Sequence, residues 1–254
     1  MRSVITFVCA GETLFATLDA APGTTGLLIV SGGNEIRVGA HRGMAQLAAA
    51  VAATGHPVFR YDRRGVGDSG GVNGGFLSAE ADLAGAVAAF RSAQPQIGTL
   101  VGFGNCDGAT TLALFGRAAG IDRVLLANPW VVEDANDGLP PQAAIRARYA
   151  ARLRDPAAWW RLVSGGIDVR KAVSGLRKIT TPAAETGLAR RVTAAIGDWG
   201  GSAHILLAEG DATAIAFRAA APEVAAEMVA TASHSFARDG DQAALLAAVL
   251  RVLR

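Results

Sequence analysis

The segment GNCDG, residues 104–108, places Cys106 between an apolar run and a second apolar segment that reads as a helix. Gly-x-Cys-x-Gly is the cysteine version of Gly-x-Ser-x-Gly, a strained strand-to-helix turn that pushes its nucleophile into a site. The flanking glycines let the backbone pack closely around such a turn, and the N-terminus of the following helix favours a reactive thiolate. We therefore expect Cys106 to be a nucleophile; a buried structural thiol is the alternative.

Two further residues have the types and positions that a nucleophilic mechanism needs. Asp211 in AEGDATA follows the next-to-last apparent strand, and His234 in ATASHSF follows the last one. A histidine moves the proton of the nucleophile to the leaving group, and a carboxylate orients that histidine. Asp211 could alternatively serve only as a helix cap. Other candidate acids follow VLLANPW, namely Glu133, Asp134 and Asp137.

The chain has four histidines, and three of them are poorer candidates for the base. His56 precedes a proline in a turn, and His204 opens a strand. His41 lies in a loop after a strand, but too early in the chain for the usual base. His234 is therefore the expected base.

A negatively charged tetrahedral intermediate needs backbone N–H donors. Asp107, directly after the candidate nucleophile, is expected to supply one of them at the start of a helix. The second is expected from the loop SGGNEIRVGAHRG, where Gly32, Gly33 and Asn34 follow the third apparent strand. Gly33 and Asn34 are the favoured donors of this loop, and the sequence leaves open which residue donates.

Four side chains are candidates for substrate contacts. Arg42, near the start of the next helix, could bind an anionic group, and a surface arginine is the alternative. Trp130, Trp159 and Trp160 could line an acyl pocket, and packing in a core is the alternative.

These residues need a scaffold that brings the ends of distant strands together. Strand-like apolar runs alternate with helix-like segments, which predicts a mostly parallel sheet of about eight strands with helices on both faces. The first segment, SVITFVCAGETLFATLDA, reads as an antiparallel hairpin at one edge of the sheet. Ligands of such sheets bind at the carboxyl ends of the strands, which is where Cys106, Asp211 and His234 fall.

The alternation breaks in the middle of the chain. Proline pairs and arginine-rich helical pieces take over from Glu133 and continue to about Ser202. We therefore interpret residues 1–132 and 203–254 as the core domain and residues 133–202 as an inserted helical lid.

Motifs for a cofactor, a metal or a disulfide are missing from the sequence. The loop YDRRGVGDSGG reads as a structural turn around Asp62, without a dinucleotide fingerprint or a Walker lysine. Cys9 and Cys106 give neither a disulfide framework nor metal-ligand spacing. We expect no cofactor and no metal, and no catalytic role for this loop.

Composition and charge restrict the partners. The net charge of +2 is too small to predict nucleic-acid binding. Residues 140–191 nevertheless carry nine Arg and two Lys against three acidic residues. Such a lid could receive an anionic substrate or contact a membrane surface, or its charge could only keep alanine-rich helices soluble. No signal peptide or transmembrane stretch is present, so we expect a cytoplasmic protein.

The motifs DRRGVGDS, GNCDG, GDATA and SHSF together resemble the α/β-hydrolase superfamily over essentially the whole chain. More narrowly, SGGNEIRVGAHRG, GNCDG and LLANPW resemble the exosortase A system-associated hydrolases of type 1. The resemblance implies an α/β-hydrolase fold and a link to exopolysaccharide production and protein sorting, without an established substrate. The chain departs from ordinary esterases in Ser31-Gly32-Gly33, which replaces His-Gly, and in the cysteine itself, as in dienelactone-hydrolase-like enzymes.

The sequence therefore predicts a hydrolase of ester or thioester bonds in a small acyl substrate, with Cys106, His234 and Asp211 as its triad. An acyltransferase that uses the same acyl-enzyme is one alternative, because a thiolate is also a good leaving group. A non-catalytic binding or scaffold protein with the same fold is the other.

Overall fold

The computed structural model of this chain describes residues 1–133 and 187–254. The strands in these ranges are β1 Arg2–Cys9, β2 Glu12–Asp19, β3 Thr25–Val30, β4 Val58–Tyr61, β5 Thr99–Asn105, β6 Arg123–Ala127, β7 Ala203–Ala208 and β8 Glu227–Val229. The α-helices are α1 Gly43–Ala53, α2 Glu80–Ala93, α3 Asp107–Phe115, α4 Gly187–Trp199, α5 Ala212–Ala220 and α6 Asp241–Leu253.

The eight strands form one sheet in the order β1-β2-β4-β3-β5-β6-β7-β8. β1 and β2 form an antiparallel hairpin at one edge, and β2 also pairs antiparallel with β4. The remaining neighbours are parallel. The predicted fold class, an α/β-hydrolase fold with a mostly parallel sheet, is confirmed.

The two faces of the sheet carry separate apolar layers. α2, α3, α4 and α5 cover one face, with buried side chains such as Leu83, Leu112 and Phe217. α1 and α6 cover the other face through residues that include Leu47 and Val249. Because the central strands are buried on both faces, their sequences are continuous apolar runs rather than alternating patterns.

The helix α4 lies within the segment interpreted as a lid, yet it packs on the core. Its apolar side chains, among them Val192 and Ile196, belong to the same buried layer as α3. Trp199 at its end donates a hydrogen bond of 3.0 Å from Nε1 to the main-chain oxygen of Ala113. The final part of residues 133–202 is therefore a core layer. Residues 134–186 lie outside the described ranges, so the lid stays a prediction.

Among the helices in the described ranges, none is both long and apolar enough to cross a membrane.

Candidate active site

Cys106 occupies the tight turn between β5 and α3. Its backbone has φ 59° and ψ −127°, a strained conformation for a residue with a side chain. A Cβ on Gly104 would lie 2.6 Å from the carbonyl of Gly108, and a Cβ on Gly108 would overlap the main-chain oxygen of Val30. Both glycines of the motif are thus required by backbone contacts. Strain of this kind is typical of functional positions.

His234 and Asp211 meet at the carboxyl ends of the strands. His234 Nδ1 lies 2.9 Å from Asp211 Oδ1. The other carboxylate oxygen, Oδ2, accepts the N–H groups of Thr213 and Ala214 at 3.0 Å each. One carboxylate therefore caps α5 and orients the histidine, so the two interpretations of Asp211 are compatible.

The surroundings of His234 favour its protonated form. The hydrogen bond to Asp211, followed by the one to the Cys106 side chain, raises the pKa of His234 to about 10, although burial opposes this shift. Burial alone would raise the pKa of Asp211, but the hydrogen bond and charge of His234, with the two backbone N–H groups, lower it below its ordinary value. The structure thus brings the three predicted residues together, with an imidazolium at neutral pH.

Two asparagines hold the main chain of the His234 loop, and the sequence analysis assigned neither of them. Asn105 Nδ2 donates to the main-chain oxygen of His234 at 3.0 Å, and Asn128 Nδ2 donates to Asn105 Oδ1 at 3.0 Å. Asn128 Oδ1 accepts the N–H of Ala208 at 2.9 Å, which links the network to β7. The signal in the sequence was only positional: Asn105 directly precedes Cys106, and Asn128 directly follows β6.

The predicted N–H donors for a negatively charged intermediate differ in their surroundings. Asp107 is the first residue of α3, and its main-chain N–H has no hydrogen-bond acceptor in the described part of the chain. The N–H of Gly33 donates to the side-chain Oδ1 of Asp107 at 2.5 Å. Asn34 is exposed, and its side chain accepts a hydrogen bond of 2.7 Å from Asn73. The structure therefore brings Gly33 into direct contact with the residue after Cys106.

Arg63, in the loop after β4, reaches the site unexpectedly. Its buried guanidinium donates from Nη2 to the main-chain oxygen of Gly33, and Nη2 lies 3.6 Å from Asp107 Oδ2. Asp62 accepts main-chain N–H groups, as expected of a structural turn. Nothing in the sequence separates Arg63 from Arg64, whose side chain instead pairs with a carboxylate of α2.

Two of the four candidates for substrate contacts lie in the described ranges. Trp130 is partly buried and packs against the core, and its main-chain N–H donates to the main-chain oxygen of Cys106 at 3.3 Å. Arg42 is exposed at the start of α1. Trp159 and Trp160 lie outside the described residues. Contact of any of these side chains with a substrate stays a prediction.

Of the alternative acids, Glu133 lies in the described residues, and its carboxylate has another partner. Glu133 Oε1 accepts the N–H of Leu188 at 2.6 Å, so this carboxylate serves the start of α4. Asp134 and Asp137 lie outside the described residues.

Comparisons with known proteins agree with this architecture. A family model described as serine aminopeptidase, S33, matches residues 26–197. An α/β hydrolase, GrgF from Penicillium sp. sh18, is similar in structure, with a TM-score of 0.66 and 17% identity over 100% of this chain and 98% of that chain. An esterase from Pyrococcus furiosus has a TM-score of 0.66 and 13% identity over 100% of this chain and 90% of that chain.

A third similar structure is a thioesterase domain from the curacin biosynthetic pathway, with a TM-score of 0.58 and 12% identity over 98% of this chain and 99% of that chain. At identities this low, the similarity in structure establishes a shared fold and nothing more. No curated protein sequence matches the chain.

Proposed function

The chain belongs to the serine aminopeptidase S33 family of hydrolases, and we propose that it hydrolyses an ester or thioester bond through the thiolate of Cys106. The observation that carries this proposal is the hydrogen bond of 2.9 Å between His234 and Asp211, together with Cys106 on its strained turn as a side chain that raises the pKa of His234. Cysteine stands where the family's name implies serine, so the proposed acyl-enzyme is a thioester.

The proposed reaction has two halves. The Cys106 thiolate attacks the carbonyl carbon, and the carbonyl π electrons move onto oxygen. When the intermediate collapses, the bond to the leaving oxygen or sulfur breaks, and the His234 imidazolium protonates that atom. A water then attacks the thioester while neutral His234 takes its proton. Collapse of this second intermediate releases the carboxylic acid and returns the electron pair to the Cys106 thiolate, while His234 keeps the proton that it took from water.

The environment of His234 supports this assignment of roles. Its pKa of about 10 means that the ring is protonated at neutral pH. A protonated ring is the form that must donate to the leaving group in the first half of the reaction. Asp211 holds Nδ1 in place, which leaves Nε2 as the nitrogen for proton transfer.

Two features of the sequence support a more specific proposal. Its resemblance to the exosortase A system-associated hydrolases supports a role linked to exopolysaccharide production and protein sorting. The basic segment 140–191 supports a small acyl substrate that carries a negative charge. For a charged acyl ester, KM is expected to rise with salt concentration, whereas KM for its neutral analogue stays constant. Equal salt responses of the two esters would contradict the anionic substrate.

The experiment that tests the reaction combines a substrate panel with labelling of the thiol. Nitrophenyl esters and acyl thioesters of graded length are offered to the wild type, Cys106→Ala, His234→Ala and Cys9→Ala. Cys106→Ala and His234→Ala are expected to lose turnover by at least about 10³-fold. Cys9→Ala, which removes the other thiol of the chain, is expected to keep turnover.

Mass spectrometry of the trapped acyl-enzyme distinguishes the alternatives. An acyl group on Cys106 that passes to an added amine or alcohol faster than to water would favour an acyltransferase. Full turnover by Cys106→Ala would refute the nucleophile. No turnover on any substrate, together with slow alkylation of Cys106 in the wild type and in His234→Ala alike, would favour the scaffold protein.

A further inference from the structure

A carboxylate lies beside the candidate nucleophile, at a position where negative charge is unexpected. Asp107 Oδ1 accepts the N–H of Gly33 at 2.5 Å. The same oxygen lies 2.9 Å from where a Cβ on Gly32 would be, and that Cβ position lies 3.2 Å from Cys106 Cβ. Gly33 was expected to donate to a negatively charged intermediate. In the free protein this donor binds the side chain of the residue after the nucleophile.

A buried cation faces the same carboxylate. The Arg63 side chain is 5% exposed, and its Nη2 lies 3.6 Å from Asp107 Oδ2. Nη1 of Arg63 is buried and has no hydrogen-bond partner in the described part of the chain. A guanidinium remains charged at all ordinary pH values, and a buried charge needs a close partner. The contact with Asp107 is longer than the usual spacing of about 2.7–2.9 Å for a charge-assisted hydrogen bond.

From these contacts we infer that the N–H of Gly33 and the guanidinium of Arg63 form an anion subsite beside Cys106, which the Asp107 carboxylate fills in the free protein. This inference rests on the proposed function, because the expected ligand is the negatively charged oxygen of the acyl group as Cys106 attacks it. In the free protein the Asp107 carboxylate occupies the position of that oxygen. Arg63 is a further residue that stabilises the oxygen when it enters the subsite.

The subsite cannot hold two anions. The carboxylate of Asp107 is 14% exposed, so it can rotate toward solvent when an acyl oxygen enters. Displacing it breaks the hydrogen bond to Gly33 and brings two negative charges near each other. The negatively charged oxygen of the intermediate must offset this cost by its own contacts with the N–H of Gly33 and the guanidinium of Arg63.

Alkylation of Cys106 tests the subsite without any need for turnover. Iodoacetate and iodoacetamide are nearly equal in size, and in both reactions the thiolate displaces iodide. Only iodoacetate brings a carboxylate to the site. The ratio of the two rates cancels any change in the reactivity of the thiol itself. Cys9 contributes little, because burial and its hydrogen bond to Asp82 raise the pKa of the Cys9 thiol.

Two variants of Asp107 distinguish an anion subsite from the mere removal of repulsion between the Asp107 carboxylate and iodoacetate. Asp107→Ala vacates the N–H of Gly33, and we expect its iodoacetate-to-iodoacetamide ratio to exceed the wild-type ratio by about tenfold, as for one charge-assisted hydrogen bond. Asp107→Asn loses the charge, but its side-chain oxygen still accepts the N–H of Gly33. Its ratio should therefore rise less than the ratio of Asp107→Ala.

Loss of the cation gives the second comparison. Asp107→Ala combined with Arg63→Gln should have a clearly lower ratio than Asp107→Ala, because the vacant N–H of Gly33 then lacks the neighbouring cation. Asp107→Ala combined with Arg91→Gln, which removes an arginine that is 38% exposed and belongs to another ion pair, should keep the high ratio. Thermal unfolding of each variant identifies any that fail to fold, and the comparison of Asp107→Ala with Asp107→Asn does not depend on Arg63.

Two results would overturn the inference. Equal ratios in Asp107→Ala and Asp107→Asn would mean that only repulsion had been relieved. A high ratio that survives Arg63→Gln would remove Arg63 from the subsite. Neither result depends on whether the protein hydrolyses esters, so a failure of the proposed function would be recognised separately, from absent turnover with an intact anion preference.

Discussion

The side-chain amide of Asn105 donates a hydrogen bond of 3.0 Å to the main-chain oxygen of His234, although the two residues are 129 positions apart in the chain. Asn105 is the residue before Cys106, so the same turn that presents the thiol also fixes the loop that carries the imidazole. Asn128 supports this contact by donating to Asn105 Oδ1 at 3.0 Å. The positions of the proposed nucleophile and base are therefore coupled through a buried amide.

Replacement of Asn105 by Ala should misplace His234 while leaving the thiol present. We expect kcat to fall by about 10²-fold, because a displacement of the order of 1 Å is enough for such a loss, with KM little changed. The measurement is steady-state kinetics on the best ester or thioester of the panel, with alkylation of Cys106 by iodoacetamide in parallel. An equal loss in a variant such as Gln96→Ala, at an exposed amide, would show that the effect is not specific.

The two functions of the Asp211 carboxylate should separate in two variants. Asp211→Asn keeps an oxygen for the N–H groups of Thr213 and Ala214 but presents the wrong group to His234. We expect Asp211→Asn to lose the stabilisation that its charged pair with His234 provides, and its kcat to fall by up to about 10⁴-fold. Asp211→Ala also loses the cap, so its free energy of unfolding should fall by a further ~1 kcal/mol. Urea unfolding and kinetics on both variants check this, and equal stabilities would contradict the capping role.

The stability of the protein should fall as the pH rises through the neutral and alkaline range. The pKa of His234 is raised to about 10 in the folded protein, compared with an ordinary value of about 6.5. The folded state therefore binds more protons than the unfolded state between these values, and the stabilisation is fully present below about pH 6.5 and lost by about pH 10.

The measurement is the free energy of unfolding from pH 6 to pH 10 in the wild type and in His234→Gln. The variant should have a flatter profile, and the difference between the two proteins should shrink as the pH rises. His204→Gln, at an exposed position in β7, is the matched control and should keep the wild-type profile. A constant difference between wild type and His234→Gln would contradict the raised pKa of His234.

The glycines around Cys106 should tolerate no side chain. A Cβ on Gly108 would overlap the main-chain oxygen of Val30, so Gly108→Ala should lower the free energy of unfolding by about 1–3 kcal/mol or prevent folding. Gly197 lies in α4 with nothing within 4 Å of its added Cβ. Gly197→Ala should therefore stabilise the protein by about 0.5–1 kcal/mol. Thermal or urea unfolding of the pair checks both signs, and a neutral Gly108→Ala would refute the close backbone packing.

The sequence by itself determined the architecture and the identity of the three residues proposed for the reaction. The continuous apolar runs of β3 and β5 can only be buried on two faces, and helices between such strands make the sheet parallel. The motif around Cys106 can be recognised locally, because its two glycines are required by close contacts within the turn and with the neighbouring strand. Asp211 and His234 lie in the loops that follow β7 and β8, so the order of the strands places both at the carboxyl edge of the sheet.

Only the tertiary structure decided how these residues are held. The contact of Asn105 with His234, and the convergence of Arg63, Asp107 and Gly33, join segments that are far apart in the chain. A local pattern specifies which element a residue belongs to, but not which side chains meet across loops of different length. Those contacts follow from the order and register of the strands, together with the backbone strain at Cys106.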